Sequence, residues 1–152
     1  MPFILLTPTF EAARYSSLAA ITRNQETFSE DQLPLLLSVS SKADWATKTA
    51  FPVGQWLGFY RSKTELTTLG NYKKYQTHSL RPKDAGSCGS ASNKLSENFV
   101  ADGLFLIRDQ KTNENDKIVQ LKNPFLIARA NASVINGHND IWNPKFEHWL
   151  FE

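Results

Sequence analysis

The sequence predicts one α/β domain, an αβα sandwich with a parallel sheet, from two observations. Three continuous apolar runs have the length of strands that are buried on both faces: Phe3–Leu6, Leu33–Val39 and Phe125–Val134. Each run precedes loop-forming residues and then apolar residues at helical spacing. Because strand, loop and helix recur in this order, we expect the three runs to be neighbouring parallel strands of one sheet.

The first two runs lead into different helical patterns. After Phe3–Leu6, Thr7 or Thr9 is expected to cap a helix whose apolar residues share one face. Those apolar residues are Phe10, Ala13, Leu18 and Ile21. After the second run, Asp44 precedes a further apolar pattern, but Pro52 and Gly54 are expected to interrupt any regular helix there.

The third run ends in a turn-rich loop, Asn136–Asp140, and a last helix is predicted after it. Asn143 is expected to cap this helix, with Pro144 in its first turn. Apolar residues then recur at helical spacing at Phe146, Trp149 and Leu150.

The middle of the chain has a different composition. The segment Arg81–Asn98 is rich in serine and glycine, which is typical of a flexible polar loop. Beyond it, Phe99–Arg108 and Lys117–Leu121 flank the polar run Asp109–Asp116. This arrangement predicts a strand hairpin that precedes the last buried strand.

Charge and cysteine content argue against several classes of function. The 17 basic and 15 acidic residues leave a charge of +2 without a basic stripe, so nucleic acid is not an expected partner. A single cysteine, Cys88, cannot form an internal disulfide, and the first apolar run is too short for a signal peptide or a membrane span. We therefore favour a cytoplasmic location. Three scattered histidines show no metal-ligand spacing, so we expect no metal and no other cofactor.

Two loops place reactive side chains directly after buried strands. The first, Ser38–Lys48, carries the carboxylate of Asp44, and the second, Val134–Asp140, carries the imidazole of His138 beside Gly137. The carboxyl ends of parallel strands meet at one edge of a sheet, where active sites of α/β folds gather. We therefore expect the carboxylate and the imidazole to lie beside a shared crevice.

Three segments resemble the later half of a group of bacterial α/β-hydrolases: Phe3–Ala12, Leu35–Gly54 and Gly70–Leu80. In that group, an N-P-A-F-E-A-like strand end precedes an S-x-x-D-x-A-T-x-x-x-F-P segment and then a G-x-Y-x-x-x-x-T-H segment. The resemblance covers most of the chain up to Leu80 and resumes around His138. It implies that this chain forms the carboxyl-terminal half of an α/β-hydrolase fold.

The resemblance also implies roles for the two reactive residues. Asp44 corresponds to the acid that orients the histidine, and His138 corresponds to the general base of a serine hydrolase. Because an orienting acid must contact the imidazole that it orients, we expect these two side chains to lie within hydrogen-bonding distance, at most one water apart. Their order along the chain is the order found in that fold. The long interval between them implies that about Phe51–Leu121 is an insertion, such as a cap over the site.

The chain departs from the family pattern at the nucleophile. The family serine sits in a G-x-S-x-G turn, and the sequence contains no such motif; Gly86–Ser90 has the wrong spacing. In the family, the serine precedes the strand that Phe3–Leu6 resembles. The expected function is therefore an esterase-like or lipase-like acyl transfer that this chain cannot perform alone. Its expected substrate is a small-molecule ester or acyl compound. Its expected protein partner is the upstream half of the hydrolase or, alternatively, a second copy of this chain.

Other interpretations of these residues stay open. Asp44 can be a helix cap, and His138 can be a turn histidine that is bonded to Asp140. His78 is the second candidate for the functional histidine. A non-enzymatic binding domain on the same scaffold is the alternative function, because a fold does not dictate a function. Its contact surface would be the aromatic residues Phe51, Trp56, Phe59, Tyr60, Tyr72 and Tyr75.

Overall fold

A computed structural model describes residues 3–22, 28–29, 32–58, 62–82, 97–101, 103–109, 111–112, 118–119 and 123–151. The described strands are β1 (Phe3–Leu6), β2 (Leu36–Ser41), β3 (His78–Pro82), β4 (Glu97–Ala101), β5 (Leu104–Arg108), β6 (Lys111–Thr112), β7 (Ile118–Val119) and β8 (Phe125–Ala130). The described α-helices are α1 (Ser16–Ile21), α2 (Phe51–Leu57) and α3 (Pro144–Phe151). In this part of the chain, no helix has the length and apolar character that a membrane span requires.

The central sheet is mostly parallel, as the apolar runs predict. Its strand order is β1-β2-β8-β3-β5-β4, and β6 pairs separately with β7. Strands β1, β2, β8 and β3 run parallel, whereas β5 is antiparallel to both of its neighbours. The predicted adjacency of the three apolar runs is confirmed, because Leu36 pairs with Phe3 on one side and with Phe125 on the other.

Helices cover both faces of this sheet and bury a core on each. The core of one face includes Val39, Leu80, Leu106, Ala128, Phe146 and Trp149, so α3 packs there. The core of the opposite face includes Tyr15, Ala19, Leu36, Leu69 and Ile127, so α1 packs there. Because β2 and β8 contribute residues to both cores, their apolar runs are continuous rather than alternating.

The first helix begins later than predicted, and the expected threonine cap is wrong. A 3-10 turn, Ala12–Tyr15, leads into α1, and its N-cap residue Glu11 makes no side-chain cap bond. Glu11 instead forms an isolated bridge with Thr68, which keeps the chain extended up to that point. Thr7 adopts a φ of +41°, a left-handed conformation that is rare for a β-branched residue.

The second helix continues through Pro52 and Gly54, so the predicted interruption is also wrong. A π-helical segment, Ala46–Ala50, runs directly into α2. Pro52 is the second residue of α2 and follows this π-helical segment.

The last helix forms as predicted. The side-chain oxygen of Asn143 accepts the N–H of Phe146 at 3.0 Å, and Pro144 is the first residue of α3. Phe146 and Trp149 are buried, with their rings stacked at a centroid distance of 5.8 Å.

The segment that was expected to be an insertion contributes strands to the main sheet. Strand β3 lies between β8 and β5, and β4 lies at the far edge. The expected hairpin differs from the observed pairing, because a turn at Gly103, with a φ of +75°, divides Phe99–Arg108 into β4 and β5. A shorter hairpin, β6 with β7, occupies the place of the predicted one. Most of the predicted polar loop, residues 83–96, lies outside the described residues.

The close approach of Gly70 to Ser40 yields a test of the fold. A Cβ atom at Gly70 would lie 1.7 Å from Oγ and 2.2 Å from Cβ of Ser40, so backbone would have to move. We expect Gly70→Ala to lower the free energy of unfolding by about 3 kcal/mol in urea titrations. Gly54→Ala is the matched control, because nothing lies within 4 Å of that position. An equal loss in both variants would contradict this packing.

Candidate functional site

Asp44 follows β2 and is fully buried. Its Oδ1 accepts the backbone N–H groups of Ala46 at 2.9 Å and Thr47 at 3.2 Å. These N–H groups belong to the first turn of the helical segment and lack partners within it. Asp44 is therefore a helix cap, and the cap bonds use only one of its two oxygens.

His138 lies on the loop after β8. Two features determine the shape of this loop. Gly137 has a φ of +128°, a conformation that side chains other than glycine rarely adopt. Asp140 accepts the backbone N–H of Asn136 at 2.6 Å, so its carboxylate closes the loop. The hydrogen bond of the His138 imidazole is made with Asp44 and not with Asp140.

The expected contact between the two reactive side chains is present. Nδ1 of His138 lies 2.8 Å from Oδ2 of Asp44, the oxygen that the cap bonds leave available. The Asp44 side chain is 0% exposed and that of His138 is 42% exposed, so the pair joins a buried acid to a surface imidazole. Among the described residues, none is hydrogen-bonded to Nε2 of His138, and this nitrogen can accept a proton from another molecule.

Ser41 fastens the two loops to each other, a role that the sequence did not reveal. Its hydroxyl donates to the carbonyl of Ile135 and accepts the N–H of Ala43 at 3.0 Å. The N–H of Lys42 also reaches the carbonyl of Ala130 at 3.0 Å. The only sequence signal for Ser41 is its place in the S-x-x-D segment, three residues before the acid.

The surroundings of Asp44 stabilise its ionised form. Burial alone raises the pKa of the carboxyl group. Hydrogen bonds from His138 and Thr47, together with the charge of His138, outweigh burial and lower the pKa below its usual value of 3.8. The carboxylate is therefore charged at neutral pH.

His78, the other candidate histidine, lies in the core and is only 2% exposed. Its Nδ1 is bonded to Oγ1 of Thr77 at 2.8 Å, and it makes no hydrogen bond to Asp44. Burial, with a smaller contribution from the charge of Arg108, lowers the pKa of His78 to about 4. The imidazole beside the acid is that of His138.

The chain has one cysteine and one further histidine. Cys88 lies outside the described residues, and His148 is exposed on α3. Within the described ranges, no three His, Cys, Asp or Glu side chains gather as metal ligands would.

No protein-family model, curated protein or solved structure matches this chain. Its function therefore has to be argued from the side chains of the site.

The buried His78 yields a prediction about acid stability. Its pKa is about 4 when folded and near 6.5 when unfolded, so the unfolded chain takes up a proton first as the pH falls. The free energy of unfolding is therefore unaffected by this group above pH 6.5. It falls as the pH is lowered from 6.5 to 4, by about 3 kcal/mol in total.

His78→Asn should flatten this part of the stability profile in urea titrations at several pH values. His148→Asn controls for the loss of an exposed imidazole. A profile as steep in His78→Asn as in the wild type would rule out a buried neutral His78.

Proposed function

We propose that this chain supplies the acid, Asp44, and the general base, His138, of a serine hydrolase that cleaves carboxylic esters. The observation that carries the proposal is the 2.8 Å contact between Nδ1 of His138 and Oδ2 of a buried, ionised Asp44. Both side chains lie after neighbouring parallel strands, β2 and β8. A buried carboxylate that holds one nitrogen of an exposed imidazole is the arrangement that general-base catalysis requires.

Each atom of the pair has a defined task in this proposal. Oδ2 of Asp44 accepts a hydrogen bond from the N–H at Nδ1, which leaves a lone pair on Nε2 of His138. Nε2 removes the proton from a serine hydroxyl as the serine oxygen attacks the ester carbonyl. It then donates this proton to the departing alkoxide, and water releases the acyl group by the same steps. The Asp44 carboxylate stabilises the imidazolium that exists in between.

The serine belongs, in this proposal, to a segment outside these 152 residues, because the sequence has no G-x-S-x-G turn. The edge of the sheet supports this proposal. Strand β1 pairs only with β2 among the described strands, and Phe3 is 67% exposed. A strand that added to β1 would satisfy its outer backbone groups and cover this apolar side chain. Without it, the same edge is expected to cause self-association.

The proposed architecture is the carboxyl-terminal half of an α/β-hydrolase. It is supported by the order of strand, acid, strand and histidine, and by the adjacency of β2 and β8. The range 51–121 accounts for the long interval between the acid and the histidine, since β3, β4 and β5 extend the sheet beyond β8. A cap over the site stays a prediction.

An apolar acyl group is the substrate feature that the surroundings favour. Trp45, next to Asp44, is 67% exposed, and Trp142, four residues after His138, is 71% exposed. Exposed indole rings close in sequence to both reactive side chains offer apolar surface for such a group.

Coexpression tests the proposal. The DNA upstream of the reading frame is sequenced, and an encoded G-x-S-x-G segment is expressed with this chain. We expect the pair to hydrolyse a short activated ester, and Asp44→Asn to reduce kcat about 10⁴-fold because the imidazole loses its orienting charge. His138→Ala should reduce kcat about 10⁶-fold.

His148→Ala is the matched control, since it removes an exposed histidine outside the site and should retain full activity. An active pair that tolerated Asp44→Asn and His138→Ala would refute the assigned roles. An upstream sequence without a nucleophile turn would favour the second candidate function.

That second candidate is a binding domain on the same scaffold. The observation that favours it is the apolar surface of α2, where Val53, Trp56 and Leu57 are each more than half exposed. Of the other aromatic residues predicted for the contact surface, Tyr72 and Tyr75 pack edge-to-face at 4.9 Å. Phe59 and Tyr60 lie outside the described residues. Exposed apolar surface of this kind marks contact sites in many proteins.

A further inference from the structure

The helical segment that follows Asp44 exposes a set of apolar side chains. The π-helical residues Ala46–Ala50 run directly into α2, and no residue of α2 is buried. Spacings of three, four and eight residues place four apolar side chains on one side of this segment. We call them the apolar stripe, and each is between 54% and 68% exposed: Trp45, Val53, Trp56 and Leu57.

The charges beside the apolar stripe are positive. In residues 42–58, the candidate acid is the only acidic residue, and it is buried and bonded to the imidazole. The same range contains two lysines, Lys42 and Lys48, and both are exposed. Glu11 accepts a hydrogen bond from α2 at 2.8 Å, but its charge is balanced by Arg14 at 2.6 Å. The exposed surface of this segment therefore combines indole rings with a net positive charge.

This combination favours a lipid surface with anionic headgroups as the occupant. Tryptophan rings partition to the boundary between headgroups and acyl chains. Lysine side chains bury their methylene stems there and keep the ammonium group beside the lipid phosphates. A second copy of the chain fits less well, because a symmetric dimer through this surface would bring the lysines of one copy against those of the other.

We propose that the apolar stripe, flanked by Lys42 and Lys48, docks this chain on an anionic lipid surface. Helix α2 lies in the plane of the headgroups, with the stripe directed towards the acyl chains. Trp45 is adjacent to Asp44 in the chain, so docking brings the acid and His138 close to the lipid. The substrates are then esters held in that surface, a consequence that rests on the proposed function.

Flotation with lipid vesicles tests the proposal. The chain Met1–Glu152 is mixed with vesicles of phosphatidylcholine and phosphatidylglycerol in equal amounts and centrifuged in a density gradient. Aggregated protein sediments whereas bound protein floats, so self-association at β1 does not imitate lipid binding. We expect the chain to float with these vesicles and much less with pure phosphatidylcholine. Absence of flotation with the mixed vesicles, or equal flotation with both kinds, would overturn the proposal.

Substitutions on α2 and its lysine locate the lipid contact. Trp56→Ser should weaken binding to the mixed vesicles about tenfold, because a large apolar side chain no longer enters the lipid. Lys48→Gln should weaken it about fivefold, through the loss of one attractive charge. Leu57→Ser removes another member of the apolar stripe and covers the case in which Trp56→Ser does not fold.

The matched controls are Phe151→Ser and Lys145→Gln on α3. Phe151 is 73% exposed and Lys145 is also exposed, so these changes remove an aromatic ring and a lysine outside the apolar stripe. Both variants should bind the mixed vesicles as the wild type does. Equal losses in the α2 and α3 variants would overturn the proposal. So would a dimer, detected by sedimentation velocity, that Trp56→Ser dissociates without any effect on flotation.

Flotation needs no nucleophile, so its outcome is separate from that of the coexpression experiment. A coexpressed pair that floats but hydrolyses no ester would disprove the proposed function and leave the docking surface standing. An active pair that does not float would overturn the docking surface alone.

Discussion

The buried carboxylate of Asp44 is the constraint on which the rest of the site depends. An ionised group without exposure to water is costly unless nearly every lone pair is used. Here Oδ1 receives the donors at the start of a helix and Oδ2 contacts His138. An aspartate that caps a helix and one that contacts an imidazole are usually treated as competing interpretations, but this residue makes both contacts, since each uses a different oxygen.

Two features of β2 and its neighbours make this arrangement possible. Ser41 joins the loop of the acid to Ile135, on the loop that carries the histidine, which limits how far the two can separate. On the opposite face, Gly70 packs against Ser40 with no space for a side chain. This approach carries the adjacent Asn71 close enough to reach Thr47 and Arg129.

Local patterns were reliable where the interactions that decide an element lie within it. The continuous apolar runs identified three parallel strands, and Asn143 with Pro144 identified the start of α3, because burial and capping act over a few residues. Patterns failed where a distant partner intervened. The bridge between Glu11 and Thr68 delayed the first helix. The turn at Gly103, by contrast, is local, and it divided one expected strand into two.

By itself, the sequence determined the α/β class, the two strand-to-loop positions of Asp44 and His138, and the lack of a nucleophile turn. These properties follow from hydrophobic periodicity and short motifs, which are local. Only the tertiary structure decided that His138 rather than His78 contacts the acid, and that Ser41 joins the loop of the acid to Ile135. The reason is physical: such contacts join residues far apart in the chain, and only the packing of the sheet and its loops brings them within hydrogen-bonding distance.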